Sequence, residues 1–315
     1  MSILSKPYFH DEAAAFEYLE SVVWADGPAC PHCGGVDRIK KIPANPEKRV
    51  RHGLHRCNDC KKQFTVKIGT VFEHMRIPLH KALQAVYLMC ASKKGVSAHQ
   101  LHRILEVTYK TAWFLTHRIR EAMRSGDLDV PFGSGGGVVE VDETFIGVDR
   151  TKKPKGSKKG RGYAHKHKVL SLVDRQTGRA KSMVVDSLKA ADLTPILEAN
   201  IAREARVMTD EAGQYRYLNR SFAEHDFVSH GAGEYGRGEV HTNTIEGYFS
   251  IFKRGMKGVY QHCGKKHLHR YAGEFEFRYN HRVANGVADA ERFALALSGS
   301  RGKRLKYRDS SVGSA

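Results

Sequence analysis

Apolar residues recur at helical spacing in the stretch 241–258. Four of them fall at i, i+4, i+7 and i+11 and predict one buried helix face: Ile245, Phe249, Phe252 and Met256. Glu246 and Lys253 fall on a second face about 100° away, because an α-helix has about 3.6 residues per turn. Taken alone, Glu246 is most simply interpreted as part of a capping box with Asn243 at the helix start.

A similar periodicity predicts helices between residues 77 and 125. Ser97 and Gln100 form a capping-box pattern that opens a short helix, and Thr108 is the expected cap of a longer one. The apolar residues of the two helices predict their inner faces: Leu101, Ile104 and Leu105 in the first, and Ala112, Leu115, Ile119 and Met123 in the second. This arrangement is typical of a helix-turn-helix, in which the start of the second helix enters the DNA major groove. A plain three-helix bundle is the alternative.

Strand-like patterns follow a glycine-rich stretch, 126–137, which we interpret as a linker. The predicted order is three strands, then helix, strand, helix, strand and helix. The segments are 138–146, 168–174 and 179–186 for strands, 188–201 for a helix, 206–210 for a strand, 214–219 for the start of a helix, 225–228 for a strand and 241–258 for the last helix. This order predicts an α/β fold (α+β for the whole chain) with a mixed sheet and helices on its faces, the ribonuclease H-like arrangement.

The charge of the chain changes what these elements are expected to bind. The 315 residues carry a net charge of +18 with a pI near 9.6, which favours a polyanionic partner such as nucleic acid. No stretch approaches the ~18 apolar residues that a membrane-spanning helix needs, and no signal segment opens the chain. We therefore expect a soluble, intracellular protein.

Two CxxC pairs predict a metal site in the N-terminal part. Four thiolates from two tight turns satisfy the tetrahedral preference of zinc, and the ligands are Cys30, Cys33, Cys57 and Cys60. We expect one structural Zn²⁺ in a zinc ribbon. A disulfide framework is the alternative, which a reducing compartment disfavours.

Three carboxylates fall at the ends of predicted elements. Asp142 lies in the first strand of the mixed sheet, Asp210 ends the fourth, and Glu246 lies on the last helix. If the first and fourth strands are neighbours, the two aspartates meet and the helix packs across them. Clustered carboxylates repel one another unless cations neutralise them, and oxygen ligands suit Mg²⁺ or Mn²⁺. Two such ions, with Lys253 nearby, could support phosphodiester displacement.

Other residues beside these carboxylates receive structural interpretations. Glu143 and Glu211 each follow an aspartate and should point to the opposite side of an extended backbone. His230 and His241 lie in loops, where histidines are usually solvated.

Basic residues mark further candidate contacts with DNA. The segment 150–168 is dense in lysine and arginine, contains no acidic residue and is expected to hold DNA backbone, with a solvated loop as the alternative. The predicted DNA-binding residues are Tyr109, Lys110 and Thr111 in the helix-turn-helix, Lys152, Lys153, Lys155, Lys158, Lys159 and Arg161 in the basic segment, and Lys253 and Arg254 on the last helix.

Seven motifs spread over the chain resemble one known family. They are WADGPACPHCG (24–34), SKKGVSAHQL (92–101), TYKTAW (108–113), VDET (141–144), MTDE (208–211), HTNTIEGYFSIFKRG (241–255) and HLHRYAGEFEFRYNHR (267–282). Together they resemble the DDE-type transposases of bacterial insertion sequences that carry an N-terminal zinc ribbon, the ISXO2-like transposases.

The resemblance implies a catalytic triad of Asp142, Asp210 and Glu246, completed by Lys253, with Mg²⁺ or Mn²⁺ as the cofactor. It implies a DNA transposase that binds the terminal inverted repeats of its element, cleaves the strand ends and joins the 3′-hydroxyl to target DNA. The partners are then double-stranded DNA and further copies of the chain, as a homodimer or larger assembly, in the nucleoid-containing cytoplasm of a bacterium. A structure-selective nuclease of similar fold and a non-catalytic DNA-binding regulator are the alternatives.

The expected domain order follows from these assignments. It is an N-terminal helix (1–25), a zinc ribbon (26–70), a helix-turn-helix module (71–125), a linker (126–137), a catalytic domain (138–300) and a basic tail (301–315).

Overall fold

The computed structural model describes residues 2–126, 128–149, 163 and 165–306 of the chain. The chain divides into two compact units, one made of Met1–Arg124 with Gly286–Ala315 and the other of Ser125–Asn285. Each unit has its own buried apolar residues. Within the described ranges, no helix is both long enough and apolar enough to cross a membrane.

The first unit begins with a helix and a small antiparallel sheet. Helix α1 (Glu12–Val23) starts where the Asp11 side chain accepts a hydrogen bond from the backbone N–H of Ala14. The sheet contains three strands in the order β1 (Ile39–Ile42), β2 (Leu54–Cys57) and β3 (Gln63–Phe64). Cys30, Cys57 and Phe64 form its buried centre, so two of the predicted zinc ligands lie inside this core.

Three helices follow in the first unit, namely α2 (Leu79–Ala91), α3 (Ala98–Leu105) and α4 (Tyr109–Met123). The predicted capping box opens α3, because Ser97 Oγ accepts from the Gln100 N–H and Gln100 Oε1 accepts from the Ser97 N–H. Thr108 caps α4 as predicted, and Glu106 takes a left-handed conformation in the turn between the helices. All four residues predicted for the inner face of α4 are buried.

The short helix departs from its prediction at one position. Ile104 is 56% exposed although its apolar side chain predicts an inward position. The buried stripe of this two-turn helix instead runs through Leu101 and Leu105, which are one turn apart.

The second unit is built on a five-stranded mixed sheet. Its strands are β4 (Val138–Ile146), β5 (His167–Asp174), β6 (Arg179–Val185), β7 (Arg206–Asp210) and β8 (Glu224–Val228). The order across the sheet is β6-β5-β4-β7-β8. The pairs β6–β5 and β5–β4 are antiparallel, and the pairs β4–β7 and β7–β8 are parallel. The first and fourth strands of this unit are therefore neighbours, as the sequence analysis required.

Helices cover both faces of this sheet. They are α5 (Ala190–Glu198), α6 (Asn243–Gly255) and α7 (Lys265–Asn280). Successive residues of a strand point to opposite faces, so Val139 and Val141 pack with α5, while Val169 and Val173 pack with α6 and α7. The predicted apolar face of α6 is fully buried in the second cluster.

Two segments of the second unit differ from their predictions. The segment predicted to start a helix at 214–219 forms short 3-10 turns, Gly213–Tyr215 and Leu218–Arg220, which place Tyr215 and Leu218 in the core. The stretch predicted as a linker contributes Phe132, which is buried and exchanges backbone hydrogen bonds with the segment around Ile201. This stretch thus belongs to the packed unit.

The last helix, α8 (Asp289–Ser298), packs in the first unit. Phe293 lies within 5.6 Å of the ring centroids of both Phe9 and Tyr18, and Arg292 donates to the carbonyl of Cys90 in α2. Residues 138–300 were expected to form one catalytic domain. In the structure, the residues from Gly286 onwards belong to the first unit instead.

Candidate functional site

The sheet register brings two predicted aspartates side by side. Strands β4 and β7 run parallel, and their pairing ends with Glu140 opposite Met208. Asp142 and Asp210 each lie two residues beyond this pair, and the charge of Asp210 acts on Asp142. Both aspartates have the strand parity of Glu140, which contacts α6. They therefore face the helix that carries Glu246.

The environment of the aspartates opposes their ionisation. Burial, followed by the neighbouring charges of Glu143 and Asp210, raises the pKa of Asp142 to about 8. Burial likewise raises the pKa of Asp210. The positive charge of Lys253 opposes the rise at Asp142, so this lysine of α6 lies within electrostatic reach of the pair. A cation bound between the aspartates would remove this penalty.

Glu246 lies in the first turn of α6, with its side chain 48% exposed. Its Oε1 atom is 3.3 Å from Thr242 Oγ1 and 3.5 Å from His230 Nε2. The charge of His230 also acts on Asp210, so this histidine lies between the second aspartate and the glutamate. Among the residues that the structure describes, Asp142, Asp210 and Glu246 do not place all their ligand atoms within 4.8 Å of one another.

The capping-box interpretation of Asn243 and Glu246 is wrong. Asn243 is the first helical residue, the N-cap position is occupied by Thr242, and the Thr242 side chain caps no backbone N–H of the helix. The carboxylate of Glu246 is consequently not engaged with the backbone of its own helix start.

Glu143 and Glu211, which follow the two aspartates in sequence, accept hydrogen bonds from neighbouring side chains and backbone. Glu143 accepts hydrogen bonds from Gln214 Nε2 at 2.8 Å and Tyr215 Oη at 2.5 Å, on the α5 side of the sheet as expected. Glu211 accepts the backbone N–H groups of His230 and Gly231. The expectation that His230 is merely solvated is wrong, because its ring contacts Thr242 and Glu246.

Sequence reasoning missed Glu140, a fully buried carboxylate two residues before Asp142. It accepts a hydrogen bond from Arg175 Nε at 2.6 Å and from the backbone N–H of Ile245 at 2.8 Å. An acidic residue between the apolar residues Val139 and Val141 was the available signal, since buried charges occur almost only with partners.

The four cysteines form a compact cluster in the first unit. The Sγ atoms of Cys30 and Cys60 are 3.7 Å apart, those of Cys33 and Cys57 are 3.6 Å apart, and all four lie within 4.8 Å of one another. A tetrahedral zinc with Zn–S bonds of ~2.3 Å has S···S edges of about 3.8 Å. The donor set and its spacing thus fit one structural Zn²⁺.

Comparisons with known proteins relate the two parts of the chain to known families. Residues 135–280 match the ISXO2-like transposase domain family, and residues 10–63 match the transposase zinc-ribbon domain family. A protein of Halobacterium salinarum, described as an uncharacterized protein in transposable element ISH50, is 30% identical over 287 residues, which are 86% of this chain and 91% of that protein. The chain belongs to the ISXO2-like transposase family. The family and the mixed sheet confirm the predicted fold class.

A solved structure shows a more distant similarity to this transposase. A chain in the structure of the simian T-cell lymphotropic virus intasome in complex with PP2A regulatory subunit B56 gamma is 13% identical, with a TM-score of 0.27. The match covers 61% of the transposase chain and 64% of the other chain. A similarity at this level does not bear on the site.

The predicted DNA-contacting residues of the transposase fall into three groups, on α4, in the basic segment and, with Lys253 and Arg254, on α6. Tyr109 is 44% exposed at the start of α4, its ring stacked 4.3 Å from that of His99, and Lys110 beside it is exposed. A groove of about 570 Å³ adjoins this helix start; its lining residues are His74, Met75, Arg76, Ile77, Lys110, Thr111, Phe114, Leu115 and Arg118. The remaining candidates of the basic segment, Lys152, Lys153, Lys155, Lys158, Lys159 and Arg161, lie outside the described residues.

Proposed function

We propose that this protein is a DNA transposase whose catalytic site consists of Asp142, Asp210 and Glu246, with Lys253 beside them. The single observation that supports the proposal is the parallel β4–β7 pairing, since Asp142 and Asp210, half-buried and with raised pKa values, both follow its last pair by two residues on the α6 side of the sheet. In a structural ion pair, the charge that acts most strongly on a carboxylate is that of an arginine or lysine, whereas at Asp142 the carboxylates of Glu143 and Asp210 outweigh Lys253.

The proposed cofactor is a pair of Mg²⁺ or Mn²⁺ ions, because carboxylate oxygens are the donors these hard cations prefer. Such ions, when bound, activate the attacking oxygen and stabilise the leaving oxygen of a phosphodiester displacement. Asp142 and Asp210 would hold them from the sheet, and Glu246 from the helix. The partial exposure of Glu246 leaves its carboxylate able to turn toward the aspartates.

The basic residues of α6 are proposed to hold the DNA strand at this site. Lys253 lies two turns after Glu246, with its ammonium 5.5 Å from the centre of the Phe249 ring. It is suited to bind the phosphate beside the scissile bond. Arg254, which donates to Ser250 Oγ, would contact a neighbouring phosphate. Water is the first nucleophile and the freed 3′-hydroxyl the second, so no covalent protein–DNA bond is required.

Helix α4 is proposed to recognise the terminal inverted repeats of the element. Its first turn carries no acidic residue, and the N-terminus of a helix attracts phosphate. Tyr109, Lys110 and Thr111 would reach the major groove, with the basic groove beside them against the DNA backbone. The lysines of the basic segment 150–168 are proposed as further backbone contacts.

Strand joining requires that two DNA ends be held together, so we also propose a homodimer or larger assembly on paired ends. A test of the metal site uses Asp142→Ala in the full-length protein. End binding in a gel-shift assay should match the wild type, whereas strand cleavage and strand transfer in Mg²⁺ should both be lost. The substrate is a DNA fragment that carries the ends of the element surrounding the gene.

Asp192→Ala is the matched control, because Asp192 is exposed on α5, over the opposite face of the sheet. It should cleave like the wild type. Cleavage by Asp142→Ala at the wild-type rate would contradict the assignment. Cleavage without joining by the wild type would instead indicate a nuclease.

A further inference from the structure

A buried ion pair connects the sheet to the start of the helix that carries Glu246. The Glu140 carboxylate is fully buried on β4, and each of its oxygens is occupied. Oε1 accepts from Arg175 Nε at 2.6 Å and lies 3.3 Å from His241 Nδ1, while Oε2 accepts from the N–H of Ile245 at 2.8 Å. Ile245 is itself fully buried and precedes Glu246 directly.

Arg175 extends this connection to the segment before α6. Its NH1 group donates to the carbonyl of Glu239 at 2.7 Å, and its NH2 group to the carbonyl of His241 at 2.7 Å. The backbone N–H of Arg175 is bound to the carbonyl of Val138 on β4. One guanidinium therefore holds both the strand of Asp142 and the approach to the helix of Glu246.

Glu140 caps the N–H of Ile245 in the first turn of α6, whereas the N–H of Asn243 is bonded to His241 Nδ1 at 3.4 Å. The N–H of Ile245 is one of the helix's first donors, which have no intrahelical partner. The side chain of the cap residue Thr242 accepts no hydrogen bond from a backbone N–H of the helix, and Glu140 supplies an anion at this position from the sheet. As a result, Glu246 is not needed for capping and its carboxylate is available for another role.

We propose that Glu140 and Arg175 are positioning residues that fix α6 against β4 and so hold Glu246 within reach of a cation bound by Asp142 and Asp210. The inference rests on the proposed function of the three carboxylates. It goes beyond that function because neither residue is itself offered as a ligand. A contact of this kind outside the ligand set sets the affinity of a metal site.

The experiment measures Mn²⁺ binding to the full-length, zinc-loaded protein from the electron paramagnetic resonance signal of free Mn²⁺, without DNA. A glutamine at position 140 has one acceptor oxygen and must either lose the Ile245 N–H or turn its amide nitrogen toward Arg175. Glu140→Gln should therefore weaken Mn²⁺ binding by about 10- to 100-fold. Strand cleavage should recover when Mn²⁺ is raised by the same factor.

Glu276→Gln is the matched control, because Glu276 is also a buried glutamate of this unit that accepts a backbone N–H, from Ser182 at 2.9 Å, but belongs to α7. It should lower the melting temperature without changing Mn²⁺ affinity. If this control loses as much Mn²⁺ affinity, the effect of Glu140→Gln is explained by general destabilisation of the unit. That result would overturn the proposal.

Two further variants separate the possible failures. Asp142→Ala should abolish Mn²⁺ binding; if it binds like the wild type, the proposed metal site itself fails. If Asp142→Ala loses binding while a folded Glu140→Gln keeps the wild-type affinity, only the positioning role is overturned. Should Glu140→Gln not fold, Arg175→Lys decides, since lysine keeps the charge but cannot reach Glu239 and His241 together. Unchanged affinity in that variant overturns the proposal.

Discussion

The four-cysteine site and the carboxylate site are assembled in different ways. Each CxxC pair places two ligands in one tight turn, so only two segments of chain must meet. The carboxylates come from two strands and a helix, and their relation depends on the β4–β7 register and on the docking of α6. A site of the first kind is encoded locally, whereas a site of the second kind is only as accurate as the surrounding fold.

The largest expected effect breaks the local site. Cys57→Ser should abolish stoichiometric zinc binding, because serine cannot supply the fourth thiolate. Structural zinc contributes on the order of 10 kcal/mol to the folding of small metal domains, so the ribbon should unfold. Zinc content by atomic absorption and limited proteolysis of residues 26–70 check this. Retention of one zinc per chain in the variant would contradict the cysteine assignment.

A smaller effect concerns the dependence of stability on pH, which follows from the raised pKa of Asp142. The folded pKa of Asp142, about 8, lies above the ~3.9 of an unfolded aspartate, so the folded state binds the extra proton in the window between them. Without added divalent cation, the contribution of Asp142 to the stability of the wild type should be largest below that window and fall by roughly 2–5 kcal/mol as the pH rises toward 8.

Asp142→Asn removes this titration, so the variant should become the more stable protein at pH 8.5. The measurement is urea unfolding of the second unit, followed for both proteins at pH 5 and pH 8.5. A difference between the two proteins that does not change with pH would contradict the buried, mutually repelling pair.

The smallest expected effect concerns helix capping, which is local in α3 and involves a distant residue in α6. Helix α3 is capped by its own residues, Ser97 and Gln100, whereas α6 is capped by Glu140 from the sheet. Ser97→Ala should cost about 1 kcal/mol and affect only the first unit. Thermal unfolding of the first unit measures it, with Ser97→Asp as the variant that keeps a cap. No loss in Ser97→Ala would show that the hydrogen bonds of the capping box contribute nothing.

The parts of the molecule that follow local rules were predictable from the sequence. Periodicity identified the inner face of α4 and the buried face of α6, and side-chain chemistry identified the caps at Ser97 and Thr108. The order of strands and helices predicted the mixed sheet with helices on its faces, and the structure meets the condition that β4 and β7 are neighbours.

The parts that depend on distant contacts were not predictable. Asn243 has a favourable capping chemistry, but Glu140 and Arg175 occupy the start of α6 from another element. The ring of His230 acquires its partners only when the segment after β8 meets α6. The placement of α8 depends on aromatic contacts with residues almost three hundred positions earlier, which no local pattern reports.

That last placement has a consequence for synthesis of the protein. Because Phe293 completes the aromatic cluster around Phe9 and Tyr18, the N-terminal unit lacks part of its core until residues 289–298 have left the ribosome. By then the entire second unit has been translated. The N-terminal unit therefore cannot complete its core before the five-stranded sheet of the second unit has been synthesised. Truncation after residue 285 should destabilise the packing of Phe9 and Tyr18 near the start of the chain.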